Sequence, residues 1–300
     1  MEDLNVSKYA LGIQIIQKRE YTSLIQDKMI SKILTKFQIE KCRGNFSPLP
    51  SNYQELENPD LVETTKIPFN YQRVIGLLQY LVQCTQPDLA FSISFLSQFL
   101  ENPKDRHYQE VFHVLKYLSF TKTLEPKLGI QGLTHSPDKI LFFTDSDWGG
   151  ANEKRSFSGS VIYFFGTIGW KSQKQCVVAL SSAEAEYNAL SSCCQDSEWL
   201  CQLISEITFK KINSTIYSNN QSSIALASNR IYHHGTRHID FRLHFVRSLI
   251  KYEKIILKYI RTQYMVADLL TKNLPYLKSK GHIKIIFGLE GQHKLQGTEW

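Results

Sequence analysis

The chain has 300 residues, of which 42% are hydrophobic, enough to form two domains of ordinary size with hydrophobic cores. No segment approaches the ~18 consecutive apolar residues of a membrane span, and the N-terminus lacks a signal-peptide core, which excludes membrane-spanning proteins and favours a soluble, reducing compartment. The formal charge is +7, from 35 basic and 28 acidic residues, and is compatible with a polyanionic partner without requiring one.

The first half of the chain is predicted to be mainly helical. The opening KYALGIQIIQ alternates apolar and polar residues and is rich in β-branched residues, which predicts a strand. In IQDKMISKILTKFQIEK, apolar residues recur every four positions from Ile25 to Phe37 with lysines between them, which predicts an amphipathic helix. Helical periodicity then extends from Tyr71 to about Leu118, with breaks at TQPD and ENP, whose prolines suit the start of a new helix.

The second half begins with strand patterns. The stretches KILFFTDSDW, SGSVIYFFG and IGWKSQKQCVVAL predict an antiparallel meander. A long helix is predicted from SSAEAEYNALSS onward, followed by strand STIYSN, helices QSSIALAS and HIDFRLHFVRSLIKYEK, strand KIILKYIRT and a short helix at VADLLTK. The order βββαβα(α)βα predicts an α/β fold with helices packed on a mixed sheet. The tail after Leu274 contains glycines and lysines and is predicted to be loosely ordered.

Acidic residues stand at the ends of several predicted elements. Asp145 ends the first strand of the meander, where an acid can hold a cation but more often caps or solvates a turn. Ser181 and Glu184 fit a capping box at the start of the long helix, whereas Glu186 is either a solvated first-turn acid or a metal ligand. Asp268 begins the last short helix, where an acid is ordinary. Each acid alone therefore has a structural explanation.

Together, these positions predict a metal site. Four places could converge on one edge of the sheet: the first strand, the start of the long helix, the end of STIYSN and the start of the last helix. There, carboxylates and a substrate phosphate would bind Mg²⁺. Two such ions ~3.5–4 Å apart clamp the attacking and leaving oxygens of a phosphodiester that is cleaved in line. The end of STIYSN, however, continues as NNQ and carries amides in place of an acid.

These blocks resemble the C-terminal part of the Pol polyprotein of copia-type LTR retrotransposons, which contains the end of reverse transcriptase and its ribonuclease H domain. The resemblance extends from about residue 1 to 275 and rests on the ordered motifs KYALGIQI, YQRVIGLLQYLVQCTQPDLAF, LKYL, TDSDWGG, RSFSGSVIYFFG, IGWKSQKQ, VALSSAEAEYNAL, EWL, NNQSSIALASN, RHIDFRLHFVR and VADLLTK. It implies a reverse-transcriptase thumb and connection segment at 1–135, an α/β ribonuclease H-like domain with a mixed sheet at 138–275 and a tail at 276–300.

The resemblance also implies a catalytic site. The family's catalytic, metal-binding acids correspond to Asp145, Glu186 and Asp268, with Mg²⁺ or Mn²⁺ as cofactor and the RNA strand of an RNA–DNA hybrid as substrate. The remaining catalytic position, the Asp of a D-N-Q block, corresponds to Asn219. Since an amide lowers the negative charge that two neighbouring cations need, cleavage is predicted to be strongly reduced or absent. No two aspartates are adjacent, so the polymerase motif Y-x-D-D is missing and this chain alone is not expected to polymerise nucleotides.

Basic residues in two segments are candidates for nucleic-acid contact. Three lie opposite the apolar stripe of the first helix, where they form either a solvated face or, by resemblance to the thumb, a contact with primer–template. Three others belong to the β-meander and could contact the hybrid backbone. The six candidates are Lys28, Lys32, Lys36, Arg155, Lys171 and Lys174.

A zinc site is not predicted. The six cysteines include no CxxC pair and no zinc-type spacing with histidine, so they are expected to be reduced thiols. The block HHGTRHID invites a zinc interpretation, but the similar block of the family binds no metal.

The sequence leaves three hypotheses about function. The first is a Pol remnant that cleaves the RNA strand of hybrids, with the remainder of the polyprotein as partner and no membrane partner. The second is a non-catalytic module that binds hybrid or duplex with a steep salt dependence. The third is a degenerate reading frame without selected function. The resemblance implies a location in the cytoplasm, within a virus-like particle, or in the nucleus.

Overall fold

The structure is a computed structural model and describes residues 8–58, 60–62, 68–129, 138–148, 155–228 and 240–289. These residues divide into two compact units. The first contains the described residues up to 129 together with 273–289, and the second contains those from 138 to 272. Within the described ranges, no helix combines the length and the apolar character needed to cross a membrane.

The first unit contains a small antiparallel sheet with strand order β1-β2-β3-β4. Its strands are β1 (Tyr9–Ala10), β2 (Ile13–Gln17), β3 (Thr22–Ile25) and β4 (Lys127–Leu128). The predicted strand KYALGIQIIQ is thus a hairpin, because Leu11 and Gly12 have φ values of 48° and 74° and reverse the chain between β1 and β2. Two residues with positive φ are what a two-residue hairpin turn requires.

The helices predicted in the first half of the chain are present in this unit, and four of them lie between β3 and β4. They are α1 (Asp27–Lys36), α2 (Tyr71–Cys84), α3 (Ala90–Leu96) and α4 (Asp105–Thr121). The breaks at TQPD and ENP are confirmed, since Pro87 begins a 3-10 turn before α3 and α4 begins after Pro103. Helix α1 begins two residues later than predicted because Ile25 belongs to β3, and its buried residues are Ile30, Ile33 and Leu34.

The second unit is a five-stranded mixed sheet with strand order β7-β6-β5-β8-β9. Its strands are β5 (Lys139–Asp147), β6 (Phe157–Tyr163), β7 (Thr167–Lys174), β8 (Asn213–Ser218) and β9 (Ile255–Tyr259), and its helices are α5 (Ser182–Thr208), α6 (Gln221–Ser228) and α7 (Asp240–Lys251). Strands β5, β6 and β7 form the predicted antiparallel meander, and β8 and β9 run parallel to β5. The predicted α/β class with a mixed sheet, preceded in the chain by a mainly helical segment, is confirmed.

The faces of β5 have different roles. Ile140 and Phe142 are fully buried and belong to the same core cluster as Tyr187 and Leu190 of α5. Because successive side chains of a strand point to opposite faces, Asp145 lies on the face away from this core. A short α-helix is predicted at VADLLTK. The structure instead has a 3-10 turn there, Val266–Leu270.

The chain after Leu274 differs from the prediction. Residues Tyr276–Ile286 form helix α8, which buries Ser279, His282 and Ile286 in the first unit. The carbonyl of the fully buried Phe287 accepts a hydrogen bond from the backbone N–H of Lys127, at 3.2 Å. The expectation of a loosely ordered tail is therefore wrong for these residues, whereas 290–300 lie outside the described residues. In the sequence, the buried face of this helix is hard to recognise, because the helix contains a glycine in its middle and several lysines.

Candidate active site

The centre of the candidate site is Asp145, which the sheet places beside Asn219. In the parallel pair of β5 and β8, Thr144 stands opposite Ser218, so the next residue of each strand lies at the same edge. Asp145 is 1% exposed, and its Oδ1 accepts a hydrogen bond of 3.2 Å from the Nδ2 of Asn219. The amide therefore turns a donor, and not an oxygen, toward the carboxylate. Asn220, the next residue, caps α6 by accepting from the Ser223 N–H at 2.9 Å.

Asp268 reaches the same edge because the turn that carries it packs closely against β6. Gly159 pairs with Asp145 across the sheet, and a Cβ at this glycine would lie 2.8 Å from Thr271 Cγ2 and 2.9 Å from the Ala267 carbonyl oxygen. Contacts this short are not tolerated, so only glycine permits the approach. The turn then places the Thr271 hydroxyl 2.6 Å from Asp145 Oδ2, to which it donates.

Glu186 joins the cluster from the second turn of α5. The helix begins as predicted, with the Ser181 hydroxyl accepting from the Glu184 N–H at 3.2 Å, while the Glu184 carboxylate accepts from the Leu180 N–H at 2.8 Å. Glu186 is 7% exposed, and burial together with the negative charges of Asp145 and Asp268 raises the pKa of Glu186 to about 9. Glu186 is therefore a buried member of the cluster in the second turn, and the prediction of a solvated first-turn acid is wrong.

Lys272 completes the group. Its Nζ lies 3.7 Å from Asp145 Oδ2 and 3.4 Å from Asp268 Oδ1. Burial lowers the pKa of Lys272, but the negative charges of Asp145, Asp268 and Asp147 outweigh this effect and the pKa is raised. Burial and the charge of Asp145 raise the pKa of Asp268 above that of an ordinary aspartate, although Lys272 opposes this. One ammonium group thus offsets part of the repulsion among several acids.

The charge cluster makes stability depend on pH. Glu186 is protonated in the folded protein up to a pKa of about 9, whereas its ordinary pKa is 4.5. Its contribution to the free energy of unfolding is therefore fully present below pH 4.5 and is lost as the pH rises through 9. In metal-free buffer we expect Glu186→Gln, which keeps a neutral side chain, to become more stable relative to the unmodified protein as the pH rises from 5 to 9.

Urea unfolding followed by tryptophan fluorescence measures this difference, because Trp148, Trp170 and Trp199 all belong to the second unit. A constant difference between the two proteins across this pH range would show that Glu186 is ionised in the folded state.

The donors of the cluster fit a divalent cation by their chemistry. Carboxylate and amide oxygens are the hard ligands that Mg²⁺ and Mn²⁺ prefer. Among the described residues, three buried oxygens of the cluster have no hydrogen-bond partner, namely Glu186 Oε2, Asn219 Oδ1 and Asp268 Oδ1, although Lys272 Nζ lies 3.4 Å from the last of these. The same part of the chain nevertheless contains no three His, Cys, Asp or Glu side chains already arranged around one ion. The oxygens of Asp145 are instead engaged by protein donors.

The six basic candidates form two groups, one in each unit. Lys28, Lys32 and Lys36 are exposed on α1 in the first unit. In the second unit, Lys171 is exposed and lies 3.7 Å from Asp196 of α5, while Arg155, which precedes β6, and Lys174, the last residue of β7, are half-buried. Their positions at the surface are compatible with nucleic-acid contact, which stays a prediction. The histidine block at 233–238 lies outside the described residues.

All six cysteines lie in described residues and none forms a disulfide; Cys193 and Cys194 of α5 are buried, whereas Cys42 and Cys176 are exposed.

Comparison with known proteins supports the resemblance seen in the motifs. The chain is 32% identical over 286 residues to the retrovirus-related Pol polyprotein from transposon TNT 1-94 of Nicotiana tabacum, covering 92% of this chain and 21% of that protein. It is 28% identical over 271 residues to the corresponding protein from transposon RE1 of Arabidopsis thaliana, covering 89% of this chain and 18% of that protein. Over about nine-tenths of its length, the chain is thus similar to retrovirus-related Pol polyproteins from transposons.

The chain spans only about a fifth of the length of these curated relatives. No protein-family model matches it. Among solved structures, a ribonuclease H1 isolated from compost is similar with 16% identity and a TM-score of 0.35, covering 45% of this chain and 93% of that chain.

Three residues of the site were not predicted. Thr271 and Lys272 stand three and four positions after Asp268, which is the spacing that brings side chains together on one side of a helical turn. This spacing could have indicated them as partners of the acid. Gly159 has no such signal, because the need for glycine arises from the turn Val266–Leu270, which is more than 100 positions away in the sequence.

Proposed function

We propose that the second unit of this chain is a ribonuclease H-type nuclease that hydrolyses the RNA strand of RNA–DNA hybrids with the help of Mg²⁺ or Mn²⁺, and that Asn219 weakens this activity. The observation that carries the proposal is the meeting of Asp145, Glu186 and Asp268 at one sheet edge, with Asn219 in the remaining position. The four side chains come from distant parts of the sequence, and Asp145, Glu186 and Asp268 are almost completely buried.

Each residue has a distinct part in this proposal. Asp145, Glu186 and Asp268 would hold the cations, which when bound activate a water molecule and stabilise the leaving oxygen. Glu186 has to lose the proton that its raised pKa retains before it can act as a ligand. Thr271 fixes the orientation of Asp145 by its hydrogen bond to Oδ2.

A second function, hybrid binding without cleavage, is favoured by the orientation of Asn219. Its NH₂ group points at Asp145, and a donor in this position opposes a cation there. The first unit, which we propose to be the thumb and connection segment of a reverse transcriptase, presents Lys28, Lys32 and Lys36 on an exposed helix face. Such a chain would still bind nucleic acid through its phosphates.

Two assays on the full chain separate these functions. We expect weak cleavage of an RNA–DNA hybrid with Mn²⁺, abolished by Asp145→Asn, and hybrid binding that weakens steeply as the salt concentration rises. Binding with a steep salt slope but no metal-dependent product would establish the non-catalytic module. The absence of both binding and cleavage would contradict both functions and favour a reading frame without selected function.

A further inference from the structure

Lys272 holds a position in the site that a bound cation would need. It lies four residues after Asp268 on the same turn, and its Nζ is within 4 Å of oxygens from both Asp268 and Asp145. The two carboxylates come from parts of the chain more than 120 residues apart, and both are almost completely buried. A positive charge between two buried negative charges stabilises their approach, because the charges would otherwise repel each other in a poorly solvated place.

The donors around Asp145 leave little room for another ligand. Its Oδ1 accepts from the Asn219 amide, and its Oδ2 accepts from the Thr271 hydroxyl and faces the Lys272 ammonium. Glu186 differs, since its Oε2 has no hydrogen-bond partner among the described residues although the side chain is more than nine-tenths buried. A cation can therefore approach Glu186 directly, but it meets Lys272 when it approaches the two aspartates.

We propose that the Lys272 ammonium is a resident cation of this site, which joins Asp145 to Asp268 when no divalent ion is bound and has to move before such an ion binds these aspartates. Lys272 is then a positioning residue that sets the affinity for divalent ions. This inference rests on the proposed function only in taking the cluster as a cation site. Cleavage is not among its tests, so an inactive protein can still support it.

The unmodified chain tests the displacement. Acetic anhydride labels lysine amines, and mass spectrometry of the peptides gives the extent of labelling at each lysine. We expect Mn²⁺ to increase labelling of Lys272 at least several-fold while leaving Lys254, which pairs with Glu198 at the surface, unchanged. Equal labelling of Lys272 with and without bound Mn²⁺, where electron paramagnetic resonance shows that the ion is bound, would overturn the proposal.

A matched pair of variants tests the affinity. Lys272→Met removes the charge and keeps most of the side-chain length, and Lys254→Met does the same in the surface pair of the same unit. We expect Lys272→Met to bind Mn²⁺ roughly tenfold more tightly, because a like charge next to the ion is removed, and Lys254→Met to bind as the unmodified chain does. Lys272→Arg, which retains the charge, should keep the weak binding.

Mn²⁺ should also raise the melting temperature of Lys272→Met more than that of the unmodified chain, since the ion replaces the lost ammonium. Unchanged Mn²⁺ affinity in Lys272→Met, or no binding in this variant and in the unmodified chain, would contradict the proposal. If Lys272→Met does not fold without metal, the proposal is tested by the labelling of Lys272 in the unmodified chain, together with the Mn²⁺ affinity of Lys272→Arg.

Discussion

Replacing Asn219 with aspartate is expected to raise Mg²⁺-dependent cleavage of an RNA–DNA hybrid by about a hundredfold, the upper range for changes in the surroundings of a metal ligand. Two physical effects act in the same direction. The substitution removes the NH₂ donor that occupies Asp145 Oδ1, and it adds an anionic oxygen ligand at the end of β8. A hybrid labelled at the 5′ end of its RNA strand, incubated with the full chain and Mg²⁺, gives the rate directly.

The adjacent asparagine provides the control for this substitution. Asn220→Asp adds the same charge one residue later, but Asn220 caps α6 through the Ser223 N–H, a task that aspartate performs equally well. We therefore expect Asn220→Asp to leave both folding and cleavage unchanged. Equal gains in the two variants would mean that general electrostatics, and not the position against Asp145, determines the rate. An unchanged cleavage rate in Asn219→Asp would show that the amide is not what limits cleavage at this site.

The second large effect is expected from Gly159→Ala. An added Cβ would overlap the Ala267 carbonyl oxygen and the side chains of Thr271 and Leu270, so the turn that carries Asp268 has to move away from the sheet. Overpacking of this kind costs about 1–3 kcal/mol. We expect a lower melting temperature and, in the Asn219→Asp background, at least a tenfold loss of cleavage as Asp268 moves away from Asp145.

Gly169→Ala is the matched control on the neighbouring strand. The atom closest to a Cβ there would be Ile162 Cδ1, at 3.2 Å, which is a flexible tip and can shift at little cost, while Cγ1 and Cβ of Ile162 lie at ordinary contact distances of 3.5 and 3.6 Å. We expect its stability to change by less than about 1 kcal/mol and its cleavage rate to stay the same. If Gly159→Ala is as well tolerated as this control, the close packing of the turn against β6 is not needed to position Asp268.

The convergence of the site was predictable because it depends on patterns that are local in the sequence. The β-rich segments, the helix start at Ser181 and the motif VADLLTK indicate which elements end at the acids. The parallel pairing of β5 with β8 then brings Asp145 to Asn219. The orientation of the amide was not predictable, because it depends on the hydrogen bond that its NH₂ group donates to Asp145, 74 positions earlier in the sequence.

Other features depend on contacts between distant residues and escaped prediction for that reason. Nothing near Gly159 in the sequence reveals that the Ala267 carbonyl approaches it. Helix α8 was taken for a loose tail because its few buried residues, such as Ile286, become apparent only when the first unit packs around them. The Leu11–Gly12 hairpin was hidden within a strand-like pattern, since its turn residues interrupt the alternation by only two positions.

The central claim is that Asp145 and the residue at position 219 share one divalent-cation site at the edge of the β5–β8 pair. The most direct test is the Mn²⁺ affinity of two variants, measured by electron paramagnetic resonance. The first is Asn219→Asp, and the second carries both Asn219→Asp and Asp145→Asn. We predict that the first protein binds Mn²⁺ more tightly than the unmodified chain and that the second loses this gain. Equally tight binding by both proteins would contradict the claim.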